Sequence, residues 1–406
     1  MYILKNYAGF ILCLGIIVYP NLTVANDKVS SETWLDSQII NSPEVIEAQA
    51  LLKASTHKVN SASQAIYNPN FESSYEREGD YNNYSFGLSQ TLDMGDKRSI
   101  NQSIAQMDHF VNQQRLKRVI ETKKAHALSA LIEWNAAKQS SFIALEQENQ
   151  LETLLSIVDE KKSAGILGQL DVELTYLSLS QTLSNIADYQ LKLKSAEIKV
   201  QELLPNWTAE KFMLPEEGLG VDSYLVNPEW IDNHPNIEVA KTQWKIKQKQ
   251  AQLTSAKSNI DPTISINAGK NTEENTIGIT LSIPLNIRNN YSDDIKAAYT
   301  ESNAAEASYQ SIHRTQTFKV KANFESVITN KKYFEKWQSL MSGRARSSAK
   351  LLKISWDAGD ISTPNYLIAL NQRAEGLYSG IQLETLFKLS EIDFLLSIGQ
   401  LSKLKI

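Results

Sequence analysis

Three carboxylates, Asp171, Glu173 and Asp360, stand beside Ala-Gly pairs at 164–165 and 358–359 that end long stretches free of helix breakers. Acidic residues at the end of a helical rod become rings when the chain assembles. Such rings favour cations and repel anions. For Asp171 and Glu173, a solvated helix start with favourable dipole contacts is a slightly better account. His57, His109, His126, His234 and His313 show no ligand spacing with cysteine or carboxylates, so no metal site is expected. Lys241, Lys245, Lys247 and Lys249 read as a solvated helix face. No nucleophile elbow, zinc-protease helix, phosphate loop or dinucleotide fingerprint occurs. These residues therefore predict no catalytic group and no cofactor, and an enzyme is a distant reading.

What positions them is set by composition and by where the breakers fall. The 406 residues carry 41 basic and 46 acidic side chains, a formal net charge of −5. That balance argues against nucleic acid as a partner. The N-terminus reads as an export signal over residues 1–25. Lys5 precedes an apolar run from Phe10 to Val18, and Thr23-Val24-Ala25 supplies small residues for cleavage. Cys13, the only cysteine, lies inside that run, so no intramolecular disulfide can form. A lipid anchor on Cys13 fits poorly, because Leu12 is too large for the preceding position.

From Asp96 to Ala164 there are 69 residues with neither Gly nor Pro, and from Leu285 to Ala358 there are 74 with Gly343 alone. A helix of the first length spans about 100 Å. Apolar residues recur at threes and fours, as in Leu367, Leu370, Ala374, Leu377 and Ile381. Seams of this kind pack antiparallel helices into coiled coils. Four short segments alternate instead, expected as strands over 70–78, 84–92, 263–269 and 276–285. In the last, Ile277, Ile279, Leu281 and Ile283 share one face and Thr280 and Ser282 the other.

The chain is also doubled. Ser42-Pro43-Glu44-Val45 matches His234-Pro235-Asn236-Ile237, Leu88 to Leu92 matches Leu281 to Leu285, and Ala164-Gly165 matches Ala358-Gly359, at offsets of 192 to 194. Each half reads helix, two strands, long helix, tight turn, returning helix. The first repeat is placed at 26–204, with its tip near 163–168. A Pro-rich linker follows at 205–234. The second repeat is 235–406, with its tip near 357–364. Strands of this length cross a membrane when tilted. Four of them cannot close a barrel, and lipid tolerates no open edge. Three copies would supply 12 strands, with Ile277, Ile279, Leu281 and Ile283 toward lipid.

With these residues in hand the sequence resembles the TolC-like outer-membrane efflux factors over essentially the whole mature chain. Pro69-Asn70-Phe71 and Pro262-Thr263-Ile264 open the first strand of each half. Leu88 to Leu92 and Leu281 to Leu285 form the second strands, and Ser163-Ala164-Gly165 and Asp357 to Ser362 the tips. In length the chain is like the members paired with heavy-metal or cation pumps. The resemblance implies a mainly α fold with membrane β: a homotrimer with a 12-stranded barrel and a periplasmic tunnel of antiparallel coiled-coil helices. It implies residence in the Gram-negative outer membrane and partnership with a periplasmic adaptor and an inner-membrane pump, of RND type. Contact with the adaptor would fall on Ala164, Gly165, Ile166, Ala358, Gly359, Asp360, Ile361 and Ser362. Relatives often carry aspartates just beyond the second tip, where this chain has Asn365-Tyr366-Leu367-Ile368, without acids. The expected function is a passive conduit in a tripartite efflux system. The alternatives are a coiled-coil envelope protein without a pore, a periplasmic adaptor, or, among channels, an outlet for secreted polypeptide.

Overall fold

The computed structural model describes residues 31–209, 228–271, 274–341 and 344–403. The expected signal segment at 1–25, Gly343 and much of the 205–234 linker lie outside these residues. In chain order the elements are α1 (Ser31–Ile40), α2 (Pro43–Ala62), β1 (Asn70–Glu78), β2 (Tyr81–Thr91), α3 (Lys97–Ser163) and α4 (Gln169–Leu203). The second half has α5 (Pro228–Asp232), α6 (Pro235–Lys257), β3 (Thr263–Asn271), β4 (Glu274–Ser282), α7 (Ser292–Met341), α8 (Arg344–Asp357) and α9 (Thr363–Ser397). A 3-10 turn at Leu401–Lys403 follows.

The breaker-free stretch from Asp96 becomes α3, 67 residues in one helix, about 100 Å long. On it lie α2 and α4 of its own half, and α6 and α9 of the other. α7 carries α6 and α9 in turn. The two halves thus interlock through α3.

Two apolar cores hold this wall of helices. The larger lies at mid-height, where α1, the end of α4 and the C-terminal turn wrap the long helices. It includes Leu35, Leu128, Leu131, Val200, Leu204, Phe394, Leu395 and Leu401, all essentially dry. Trp134 and Trp207 meet there edge to face at 4.8 Å. The smaller core, around Leu151, Leu154, Val158, Val172 and Trp356, lies at the far end of the helices.

The four strands form one antiparallel sheet in the order β1-β2-β3-β4. The first turn is tighter than the loop expected from Gly79 to Asn83. Glu78 pairs with Tyr81, leaving only Gly79 and Asp80 in the turn. Gly79 takes φ +62, so β2 starts at Tyr81, as glycine at the first turn position allows. β3 and β4 likewise pair out to Asn271 and Glu274, shortening the loop expected at Lys270 to Asn275. One placement is corrected: β4 ends at Ser282, so Ile283 stands just past the strand it was assigned to. Pro284 follows it and has no N–H with which to continue the ladder.

Candidate functional site: a two-faced sheet and paired helical tips

The register sorts every strand residue onto one of two faces. Phe71, Leu88, Ile266 and Ile279 form one row across all four strands, and Phe86, Ala268 and Ile277 most of the next. All of these large apolar side chains are exposed, Ile277 at 83% and Ile279 at 78%. Toward the hairpin end the same face carries Tyr75 and Tyr84, then Arg77, Asn82 and Lys270. Apolar rows bounded by tyrosines and then by cations are what a lipid-facing wall presents.

The opposite face is small and polar. Ser74 and Ser85 share a hydrogen bond at 2.8 Å, as do Thr91 and Thr263. The Ser89 hydroxyl donates to Glu72 at 3.2 Å. Gly87 leaves room here for the Asn267 side chain, whose Oδ1 would lie 2.2 Å from an added Cβ and would have to turn away from it. This face also carries Glu72, Glu76, Glu78 and Glu274, and among its described residues neither Lys nor Arg. The strand expected at 70–78 contained Glu72, Glu76 and Glu78, whereas Glu274 lay in the expected loop, and their common face emerges only once the register is known.

A charge cluster ties the sheet to the long helices. Lys97, at the start of α3, forms an ion pair with Asp261, just before β3. The Tyr67 hydroxyl donates to the same carboxylate at 2.6 Å, and the Met94 N–H at 3.3 Å. Burial opposes the charge on Asp261, but Lys97 and these donors outweigh it and hold the carboxyl below its ordinary range. The bond to Asp261 in turn pushes Tyr67 up to about 12. This joint links the first half's long helix to the second half's strand.

At the other end, both tips close in the same way. The Ile166 N–H donates to the Lys161 carbonyl and the Gly165 N–H to Lys162. The Asp360 N–H donates to Ser355 and the Gly359 N–H to Trp356. Gly165 and Gly359 adopt φ +72 and +82, so each tip is a Schellman turn with glycine in the left-handed position. Ala164, Gly165, Ile166, Ala358, Gly359, Asp360 and Ser362 are exposed, whereas Ile361 packs partly into the tip core.

The structure also locks one tip to the other. The Lys161 ammonium lies 4.3 Å from the centre of the buried Trp356 ring. That ring stacks on Tyr366 at 5.1 Å and donates Nε1–H to Thr363 at 3.2 Å. Sequence reading did not foresee this contact. Of the tip acids, Glu173 accepts a bond from Gln169 at 2.6 Å, Asp171 is half-buried in the first turn of α4, and Asp360 is exposed. They do not converge in one chain. Among the described residues no group of three or more His, Cys, Asp or Glu could hold a metal ion.

Comparison with known proteins is consistent with this anatomy. Residues 34–206 match the sequence profile of the outer membrane efflux protein family. A search of curated proteins returns no match. Among solved structures, the outer-membrane channel OprN is similar at 14% identity and TM-score 0.79, over 91% of this chain and 90% of that one. The CmeC outer membrane channel of Campylobacter jejuni is similar at 11% identity and TM-score 0.75, over 91% and 85%. The outer membrane protein VceC of Vibrio cholerae is similar at 12% and 0.73, over 91% and 98%. At such identities the likeness is one of fold.

Proposed function

We propose, on the premise that the chain belongs to the TolC-like outer membrane efflux family, that it is the outer-membrane conduit of a tripartite export system. In this reading three copies close a 12-stranded barrel. Their helices line a tunnel that receives cargo from a periplasmic adaptor and an inner-membrane pump of RND type. The observation that carries it is the sheet: one face apolar, the other polar, both edges open, and long helices leaving from one end. An open edge is not stable in lipid, so the strands need further strands to close upon. A rod without a pore has no use for such a sheet. The chain's part is passive, and the pump supplies the energy and chooses the cargo.

In the same reading the exposed residues at both tips, Ala164 to Ile166 and Ala358 to Ser362, are where the adaptor docks. Asp171, Glu173 and Asp360 then sit near the tunnel mouth. The test is the native mass of the protein extracted from outer membranes in mild detergent, followed by conductance in a planar bilayer. Three protomers and discrete conductance steps support the proposal. A monomer, or a species soluble without detergent, overturns it.

A further inference from the structure

The sheet sorts its charges by face. Arg77 and Lys270 stand on the apolar face, and Glu72, Glu76, Glu78 and Glu274 on the polar one. Glu76 and Glu78 flank Arg77 in sequence, yet strand parity sends them to the opposite side. Among the described residues, the apolar face therefore holds no carboxylate that could neutralise either cation. Alternation alone fixes which positions are apolar, not the sign of the charges at the strand ends. We propose that Arg77 and Lys270, with Asn82 and Tyr84 between them, bind the phosphate groups of the glycolipid in the outer leaflet of the membrane. This rests on the channel reading above and gives the rim of the barrel a specific lipid.

Both cations stand at headgroup height. Toward the hairpins, the last apolar row is Phe86, Ala268 and Ile277, level with Ser73. Tyr75, Tyr84, Lys270 and Asn275 form the next row, and Arg77 and Asn82 stand one row beyond. Successive rows are about 7 Å apart along a strand, or about 5 Å in height at the tilt of a barrel strand. Lys270 thus lies one step above the apolar band and Arg77 two, on the far side of a tyrosine row of the kind that marks a membrane interface. The long helices leave from the opposite end of the sheet. In the channel reading those helices are periplasmic, so the hairpins point out of the cell and the leaflet at their level is the outer one. Its glycolipid carries phosphates on the sugars nearest the acyl chains. Phospholipid of the inner leaflet also carries phosphate, but at the other end of the strands.

The patch is also built of donors. The Tyr75 hydroxyl donates to Asn82 Oδ1 at 2.8 Å, which leaves the Asn82 amide nitrogen to donate outward. Arg77 Nε donates to the Gly79 carbonyl at 3.2 Å. That bond holds the guanidinium at the hairpin turn and leaves its terminal amines for a ligand. Tyr84, with its hydroxyl, lies exposed between Tyr75 and Lys270. Arg77 and Lys270 are two strands and one row apart, about 12 Å between Cα atoms. Side chains of their length converge on one phosphate across that gap, or take one phosphate each from a headgroup bearing two. A planar fork beside a point charge is a combination suited to phosphate oxygens.

Native mass spectrometry of the full protein, purified from outer membranes in mild detergent, tests the site. The added lipids are deep-rough lipopolysaccharide, the same glycolipid stripped of its phosphates, and phosphatidylglycerol. The protein is expected to hold the phosphorylated glycolipid about tenfold more tightly than the stripped form. Arg77→Gln with Lys270→Gln should abolish that preference and leave the assembly intact. Arg77→Lys with Lys270→Arg should keep it, and Glu76→Gln, on the polar face, should not change it. A trimer that holds both glycolipids alike, or phosphatidylglycerol as tightly as either, overturns the lipid site and leaves the channel reading standing. So does a preference that survives loss of both cations. A monomeric mass overturns both.

Discussion

Trp337 shows how much of the wall depends on single atoms. Its indole lies over Gly376 and Gly380 of α9 and donates Nε1–H to the Gly376 carbonyl at 2.9 Å. A Cβ at Gly380 would stand 2.0 Å from the ring. Gly380→Ala is therefore expected to destabilise the helix pair by about 1–3 kcal/mol, the usual cost of overpacking. Thermal unfolding of the detergent-purified protein checks this. Gly376→Ala, where the nearest atom is Met341 Cε at 3.8 Å, should be far milder. His234 gives a second residue-scale prediction. Burial drives its pKa down to about 4, although its bond to the Leu396 carbonyl favours the charged ring. The folded chain thus holds it neutral, while the unfolded chain protonates it near 6.5. Its contribution to stability is complete above pH 6.5 and is lost as pH falls toward 4. The melting temperature should drop over that window, and His234→Asn should flatten the drop. These contacts were hidden in the sequence. Trp337 and Gly380 belong to different helices, and no local spacing announces that an indole needs a missing side chain 43 positions away.

Among the elements, the helices were the most legible. A stretch without Gly or Pro from Asp96 to Ala164 leaves the chain no cheaper course than one helix, and the structure ends α3 at Ser163. The tips were legible because only glycine takes their backbone without strain. What could not be read was the pairing of tips, since Lys161 and Trp356 are almost two hundred residues apart. That latch carries the third prediction. Lys161→Ala removes a cation held over a buried indole, an interaction of about 1–2 kcal/mol. It should open the smaller core to protease, seen as faster cleavage between α7 and α9, with the larger core unaffected. Lys161→Arg should keep most of the protection. Strand ends were less legible. Pro284 is a clear stop, but Ile283 continues the alternation one residue beyond the last ladder bond, and alternation alone cannot tell a strand from its extension.

For the whole molecule, the polar face of the sheet predicts behaviour that no single copy can show. With Glu72, Glu76, Glu78 and Glu274 on that face, a closed barrel has an acidic lumen, which concentrates cations. In a bilayer with a potassium chloride gradient the reversal potential is expected on the cation side. Changing all four to Gln should move it toward zero. Unmoved selectivity would assign the field to the tunnel instead. The duplication was legible from short matches such as Ala164-Gly165 and Ala358-Gly359, and it predicted a barrel shared between copies. The joint between Lys97 and Asp261 was not, because it bridges non-equivalent positions of the two halves. The position matching Asp261 in the first half is Asn68, so the two halves differ in charge at this level.

The free edges at β1 and β4 have a genetic consequence. An allele whose β4 accepts no neighbour, through a proline in place of Ile279, whose N–H points away from β3, still offers a sound β1 and so enters rings that it cannot finish. In a cell expressing both alleles equally, about one ring in eight would contain only intact copies, if three subunits are drawn at random. Such an allele would be dominant, whereas a null allele would be recessive. Blocking β1 of the same mutant chain as well should restore recessiveness, because a subunit with neither edge is never recruited.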